Sequence, residues 1–258
     1  MSALLAQLLA LANAAADAVA PALANPNRDD LGVDTKSSAT DMVTVVDRWS
    51  EKTIVHLLLD ARPDDGLVGE EGSEKPSSTG VTWIVDPIDG TTNFVRNLPG
   101  YSVSIAAQVD GVTSVGVVHD VIRDERFEAT LGRGSTCNGE TLRVSSPAEL
   151  ARAVLATGFS YRREVRARQA DLLVDLLPEI ADLRRFGGAA IDCCSVAAGR
   201  LDGYFEVGVH DWDIAAGGLL IREAGGQTID LRASGGPFIA AAPTIFSELV
   251  HRVGGPDS

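Results

Sequence analysis

Trp83-Ile84-Val85-Asp86-Pro87-Ile88-Asp89-Gly90-Thr91-Thr92-Asn93-Phe94-Val95 is the stretch that decides how this chain reads. It opens inside a compact apolar run, Val81 to Val85, whose β-branched residues predict a buried strand. The strand is expected to end at Asp86, because Pro87 fixes its own φ and removes an N–H, which stiffens the turn that follows. Asp89 lies three residues beyond Asp86, close enough for both carboxylates to converge on one cation. The Ile88 side chain is expected to face apolar surroundings, leaving its carbonyl free to point at the same place. Gly90 permits a tight turn. Thr91 and Thr92 then offer hydroxyls and backbone N–H groups at a helix start, a cradle for phosphate. Hard oxygen donors of this kind suit Mg²⁺, which prefers carboxylates, substrate phosphate and retained water.

Elements can be placed outward from that stretch. Leu4, Leu8 and Leu11 recur at helical spacing and predict an amphipathic first helix. Residues 25–41 read as a loop, and a second helix is expected from Thr44 to Ala61, stopped by Arg62-Pro63. Leu67 to Glu71 reads as a short strand and 72–80 as a polar loop. Ser102 to Val109 and Val112 to Val118 read as strands joined at Asp110-Gly111, a hairpin dipeptide, with Arg126 to Thr130 as a third. Residues 145–180 are expected to be helical. Then come a helix at Ala190–Ala198, a strand at Gly203–Val207, a helix at Asp213–Ala224 and a strand at Thr228–Leu231. A β-rich first half and an alternating second half predict layered α/β structure. With no repeat and no low-complexity linker, 1–258 reads as one domain with sub-lobes of about 1–145 and 146–258.

Composition narrows the class. Lys plus Arg is 22 and Asp plus Glu is 36, a net charge of −14 over 258 residues. That balance argues against affinity for nucleic acid or anionic membrane, since both are polyanions. Cys137, Cys193 and Cys194 are too few for a disulfide framework and point to a reducing, cytoplasmic setting. The Ala/Leu-rich residues 1–24 lack the basic n-region of a secretory signal. Gln7, Asn13 and Asp17 interrupt them, so no stretch is expected to span a bilayer.

Two more acidic groups sit at the ends of predicted elements: Gly69-Glu70-Glu71, and Trp212-Asp213-Ile214-Ala215-Ala216-Gly217 at a helix start. Each has a bland reading. Glu-Glu alone is solvated surface, Asp-x-x-Asp alone is a turn, and Trp212-Asp213 alone is a core Trp beside an N-cap Asp. His56, His119, His210 and His251 show no metal-ligand spacing and read as structural or surface residues.

Taken together, Trp83 to Val95 and Trp212 to Gly217 resemble the two signature motifs of the inositol monophosphatase family. Lys36-Ser37-Ser38 with Asp41 and Val43-Thr44-Val45-Val46-Asp47 is similar to the family's N-terminal segment, and Gly199 to Glu206 to its substrate-contacting strand. The resemblance implies the αβαβα sandwich of the inositol monophosphatase and sugar phosphatase-like fold. It implies Mg²⁺-dependent, lithium-sensitive hydrolysis of a phosphate monoester by a metal-activated water, with two or three ions per site. It implies a homodimer. No Ser, Cys or His nucleophile is needed.

Carried over by position, Glu70, Asp86 and the Ile88 carbonyl resemble the ligands of one Mg²⁺. Asp86, Asp89 and Asp213 resemble those of a second, and a third can involve Glu70. Thr91 and Asp47 match the pair that positions the attacking water, so Glu70, Thr91 and Asp47 are the expected catalytic residues. Gly90 and Thr91 match the phosphate contacts. Asp89, Gly188, Ala189 and Glu206 match contacts to the alcohol. One departure concerns the alcohol: Gly188 stands where the family usually carries Ser or Thr. The expected substrate is a small phosphorylated polyol or amino alcohol, inositol 1-phosphate first, with histidinol phosphate as the alternative. A non-catalytic protein-binding role is the reading from another class.

Overall fold

The computed structural model describes residues 2–27, 31–36 and 42–254. In chain order the first elements are α1 (Ala3–Ala24), β1 (Asp34–Thr35), β2 (Met42–Val43), α2 (Val45–Ala61), β3 (Gly66–Gly69), β4 (Glu74–Lys75), β5 (Val81–Asp89) and α3 (Thr91–Arg96). Next come β6 (Ser102–Val109), β7 (Val112–Asp120), β8 (Glu125–Thr130), β9 (Ser135–Cys137) and β10 (Glu140–Thr141). The second half holds β11 (Val154–Thr157), α4 (Arg163–Leu176), β12 (Asp182–Arg184), α5 (Ala189–Ala197), β13 (Gly203–Glu206), α6 (Asp211–Glu223), β14 (Gln227–Asp230), β15 (Phe238–Ala241) and α7 (Phe246–Val253).

Two sheets organise the molecule. One has eight strands in the order β10-β9-β8-β7-β6-β5-β3-β4, the other five in the order β12-β11-β13-β15-β14. Alternate residues of β5 supply the two faces of the large sheet. Trp83 and Val85 join α1 and α2 on one side, with Leu8, Val19, Ile54 and Leu58. Ile84 looks the other way into the layer of α5 and α6, with Cys193, Leu219 and Tyr204. A third cluster, including Leu155, Leu176, Phe205 and Leu249, packs α4 and α7 on the far face of the small sheet. The layers are therefore α1/α2, sheet, α5/α6, sheet, α4/α7, the expected αβαβα order. Trp83 is fully buried, and its indole N–H is satisfied by Asp65 Oδ2 at 3.0 Å, which Arg62 pairs in turn.

Several expectations change. β5 does not stop at Val85 but continues through Asp89, with its pairing to β6 slipping between Asp86 and Asp89. Pro87 cannot donate to the ladder, so the strand bulges there instead of ending. The loop at 25–41 contains β1, paired to β2, and 72–80 contains β4. The helical reading of 145–180 misses β11, which pairs in parallel with both β12 and β13. The Asp110-Gly111 hairpin forms as read, with φ of 50° and 79°. α1 is 22 residues long with a mean hydropathy of 1.6, so it does have the length and composition of a membrane span. In the fold its Leu8, Ala12, Ala15, Ala16, Val19 and Leu23 are buried in the core.

Candidate active site

The bulge in β5 is what turns Asp86 and Asp89 to one place. Asp86 Oδ1 accepts from the Ile88 N–H at 3.0 Å, closing a short turn around Pro87. Ile88 is buried in the core beneath that turn. Gly90 follows with φ 86° and caps α3; a Cβ there would lie 2.6 Å from the Gly100 carbonyl oxygen, so only glycine lets the two backbones approach. Asp89 reaches across to the start of α5, where Oδ1 accepts from Ala189 N–H at 3.1 Å and Oδ2 from Ala190 N–H at 2.8 Å. These are unpaired donors of a helix's first turn, and a carboxylate suits them.

Asp213 arrives from the other motif. The bland reading of Asp213 as an N-cap does not hold: His210 takes that position, and Asp213 is the third helical residue, accepting from the His210 N–H at 2.5 Å. Trp212 is only partly buried and stacks on His210 at 4.7 Å. Asp86, Asp89 and Asp213 each place a carboxylate oxygen within 4.8 Å of the others. Burial, followed by mutual repulsion, raises Asp86 and Asp89 well above the usual carboxylate range.

Glu70 stands beside this cluster in the turn after β3. Its Oε2 is buried without a hydrogen-bond partner, and burial pushes its carboxyl upward. Its Oε1 lies 2.9 Å from Lys36 Nζ, and the same ammonium lies 2.5 Å from Glu71 Oε1. Ser37, Ser38 and Asp41 of the matching segment lie outside the described residues. Sequence reasoning missed Glu51. Buried on α2, it accepts from Glu71 N–H at 2.7 Å and Ser73 N–H at 3.0 Å, fixing the turn that carries Glu70. Its signal was its position one helical turn after Asp47.

Asp47 and Thr91 do meet. Asp47 completes a capping box with Thr44 at the start of α2, its Oδ2 accepting from Thr44 N–H at 2.7 Å. Its other oxygen faces Thr91 Oγ1 at 3.1 Å. On the alcohol side, a Cβ at Gly188 would lie 2.8 Å from Asp89 Oδ2 and 3.0 Å from the Gly100 carbonyl oxygen, so here the glycine lets α5 close on Asp89. Ala189 follows at the same spot. Glu206 lies at the end of β13, where its Oε2 accepts from the Tyr204 hydroxyl at 2.8 Å and burial raises it to about 7. The structure thus joins Asp86, Asp89 and Asp213 in one cluster, Asp47 to Thr91, and Asp89 to the start of α5 at Ala189. The site's own charge is strongly negative, with Lys36 beside it, so an anionic substrate needs added cations.

The architecture and the residues have close counterparts. A family model described as the inositol monophosphatase family matches residues 4–252. A Pasteurella multocida protein named Nus factor SuhB is 45% identical over 233 residues, 88% of this chain and 87% of that one. A Mycobacterium tuberculosis protein named inositol-1-monophosphatase SuhB is 45% identical over 234 residues, 86% of this chain and 81% of that one. The crystal structure of the extragenic suppressor protein suhB from Bartonella henselae superposes with a TM-score of 0.89 at 36% identity, covering 95% of this chain and 98% of that one.

Proposed function

The chain belongs to the inositol monophosphatase family and is a phosphoric monoester hydrolase, and on that premise we propose that it hydrolyses a small phosphate monoester with Mg²⁺, inositol 1-phosphate being the preferred substrate. The observation that carries the proposal is the convergence of Asp86, Asp89 and Asp213 within 4.8 Å, with Glu70 beside them. Buried carboxylates this close repel one another unless a cation joins them. The orphaned Glu70 Oε2 is a further vacant oxygen donor, and the all-oxygen set fits a hard divalent ion.

Glu70, Asp86 and the Ile88 carbonyl would hold one Mg²⁺, and Asp86, Asp89 and Asp213 a second; a third would use Glu70. When bound, Mg²⁺ neutralises the phosphate and lowers the pKa of water, which suits a reaction as slow as monoester hydrolysis. The chain's own residues do the rest. The Gly90 and Thr91 N–H groups bind phosphate oxygens. Thr91 and Asp47 orient the attacking water and take up its proton. The outer face of Asp89, Gly188, Ala189 and Glu206 hold the alcohol.

We place the protein in the cytoplasm as a lithium-sensitive homodimer acting as one unit over 1–258, without nucleic-acid or membrane partners. Histidinol phosphate remains the alternative substrate, since the same metal residues would serve it. A protein-binding role is a second reading, supported by the name Nus factor carried by the Pasteurella multocida relative. The test is phosphate release from inositol 1-phosphate, histidinol phosphate and glycerol 2-phosphate at saturating Mg²⁺. Preference for inositol 1-phosphate supports the proposal. Release from none of them supports the binding role.

A further inference from the structure

Asp192 is a buried acid that the reaction outlined above does not use. It lies in α5, every residue of which is buried, and is itself 1% exposed. Its Oδ1 has no hydrogen-bond partner among the described residues. Folded proteins rarely leave such an atom unmatched, because the lost hydration is not recovered. Its position says where a partner would come from. The Asp192 N–H bonds to the Gly188 carbonyl at 3.1 Å, so Asp192 lies one turn below the residue that touches Asp89. Side chains on a helix lean toward its N-terminus, here toward the active site.

β13 supplies the facing wall. Tyr204 and Glu206 alternate with Phe205, so they share one face of the strand, and Tyr204 packs among the α5 residues Cys193 and Val196. Phe205 points away, into the cluster beyond the small sheet. Glu206 fits because Gly158 has no side chain; a Cβ there would run into its carboxylate. The charged groups acting on Asp192 are Glu206, Asp89 and Arg185. Arg185 forms no ion pair with any described residue.

We propose that Asp192 is a positioning residue for the alcohol side of the active site: when the leaving group is bound, its carboxyl donates to Glu206 from behind, completing a chain in which Tyr204 and Asp192 fix the oxygen that Glu206 presents to a substrate hydroxyl. The inference rests on the phosphatase reading above. Asp192 enters that bond as the donor because burial, ahead of repulsion from Glu206 and Asp89, holds its carboxyl well above the usual range. The outcome is selectivity for a hydroxyl-bearing alcohol, with the phosphate chemistry untouched.

The experiment compares wild type, D192N and D192L on inositol 1-phosphate and on 4-nitrophenyl phosphate, whose leaving group has no further hydroxyl. D192L should raise KM for inositol 1-phosphate about tenfold, the worth of one hydrogen bond to a charged group. Its kcat on that substrate, and its kcat/KM on 4-nitrophenyl phosphate, should stay within about twofold of wild type. D192N keeps a donor of the same shape and should restore KM to within about threefold. D192S replaces D192L if the latter does not fold. Equal losses on both substrates, or no change in D192L, would overturn the proposal while leaving the phosphatase reading intact. Wild-type protein that hydrolyses neither monoester would overturn both.

Discussion

Thr91 Oγ1 stands 3.1 Å from Asp47 Oδ1 across 44 residues of chain, joining the first turn of α3 to the first turn of α2. The same hydroxyl is 3.0 Å from the Ile88 carbonyl oxygen, and its single proton can serve only one of them. Burial, ahead of its hydrogen bonds, raises the Asp47 carboxyl, which makes it a ready proton acceptor for the hydroxyl's neighbour in the site. T91A should lower kcat about 100-fold or more, the usual worth of a positioned acid–base group, with little change in thermal stability. D47N should lose similar activity and also melt lower, since the Thr44 capping box uses the same carboxylate. Steady-state kinetics beside thermal melts separate the two effects.

The cluster of Asp86, Asp89 and Asp213 opposes folding when no cation is present. D213N should therefore leave the metal-free protein as stable as wild type, or more so, and cut Mg²⁺-dependent turnover by orders of magnitude. It should also shrink the rise in Tm on adding Mg²⁺, which follows binding to the native state. A melt with and without Mg²⁺ checks this apart from activity.

Stability should depend on pH in an unusual direction. Burial raises Glu71 and Glu206 to about 7 and also raises Asp86 and Asp89 well above the usual carboxylate range. Such groups keep their protons longer in the fold than in the unfolded chain. Their stabilising effect is full below the unfolded value of about 4 and is lost as pH rises through the folded value. The acids lowered chiefly by arginine, Glu125, Asp182 and Asp230, act oppositely but titrate below this window. Metal-free protein should melt lower at pH 8 than at pH 5, by on the order of 5 °C for a chain of this size. Saturating Mg²⁺ should remove most of the difference.

Much of the site was legible because its chemistry is local. The Asp86 to Thr91 string carries two acids, a carbonyl, a glycine turn and a helix start in six residues, and its two acids converge with Asp213. Other features were hidden because long-range packing sets them. Ala153-Val154-Leu155-Ala156 follows a helical pattern in sequence, yet β11 is held between two parallel neighbours that lie 28 and 48 residues further on. Asp213 reads as an N-cap until the backbone of His210 is seen to take that place. Glu51 and Asp192 belong to no motif. Their importance appears only when a turn is seen to bond to Glu51 and Asp192 Oδ1 is seen to have no partner among the described residues.

Glu51 gives a prediction of its own. E51A strips the acceptors from two backbone N–H groups and should cost about 2–4 kcal/mol, read as a lower urea midpoint. In the fraction that folds, the Glu70 turn loosens, so half-maximal activity should need several-fold more Mg²⁺. E51Q keeps one acceptor and should fall between E51A and wild type.

Asp86, Asp89, Asp213 and Glu70 are proposed as a Mg²⁺ site for monoester hydrolysis. Phosphate release from inositol 1-phosphate, followed as Mg²⁺ is titrated into chelator-treated wild-type and D213N protein, tests it most directly. The expected result is no release without metal, saturable release with it, and at least a 100-fold lower rate in D213N. Release that is independent of Mg²⁺, or equal in the two proteins, would contradict it.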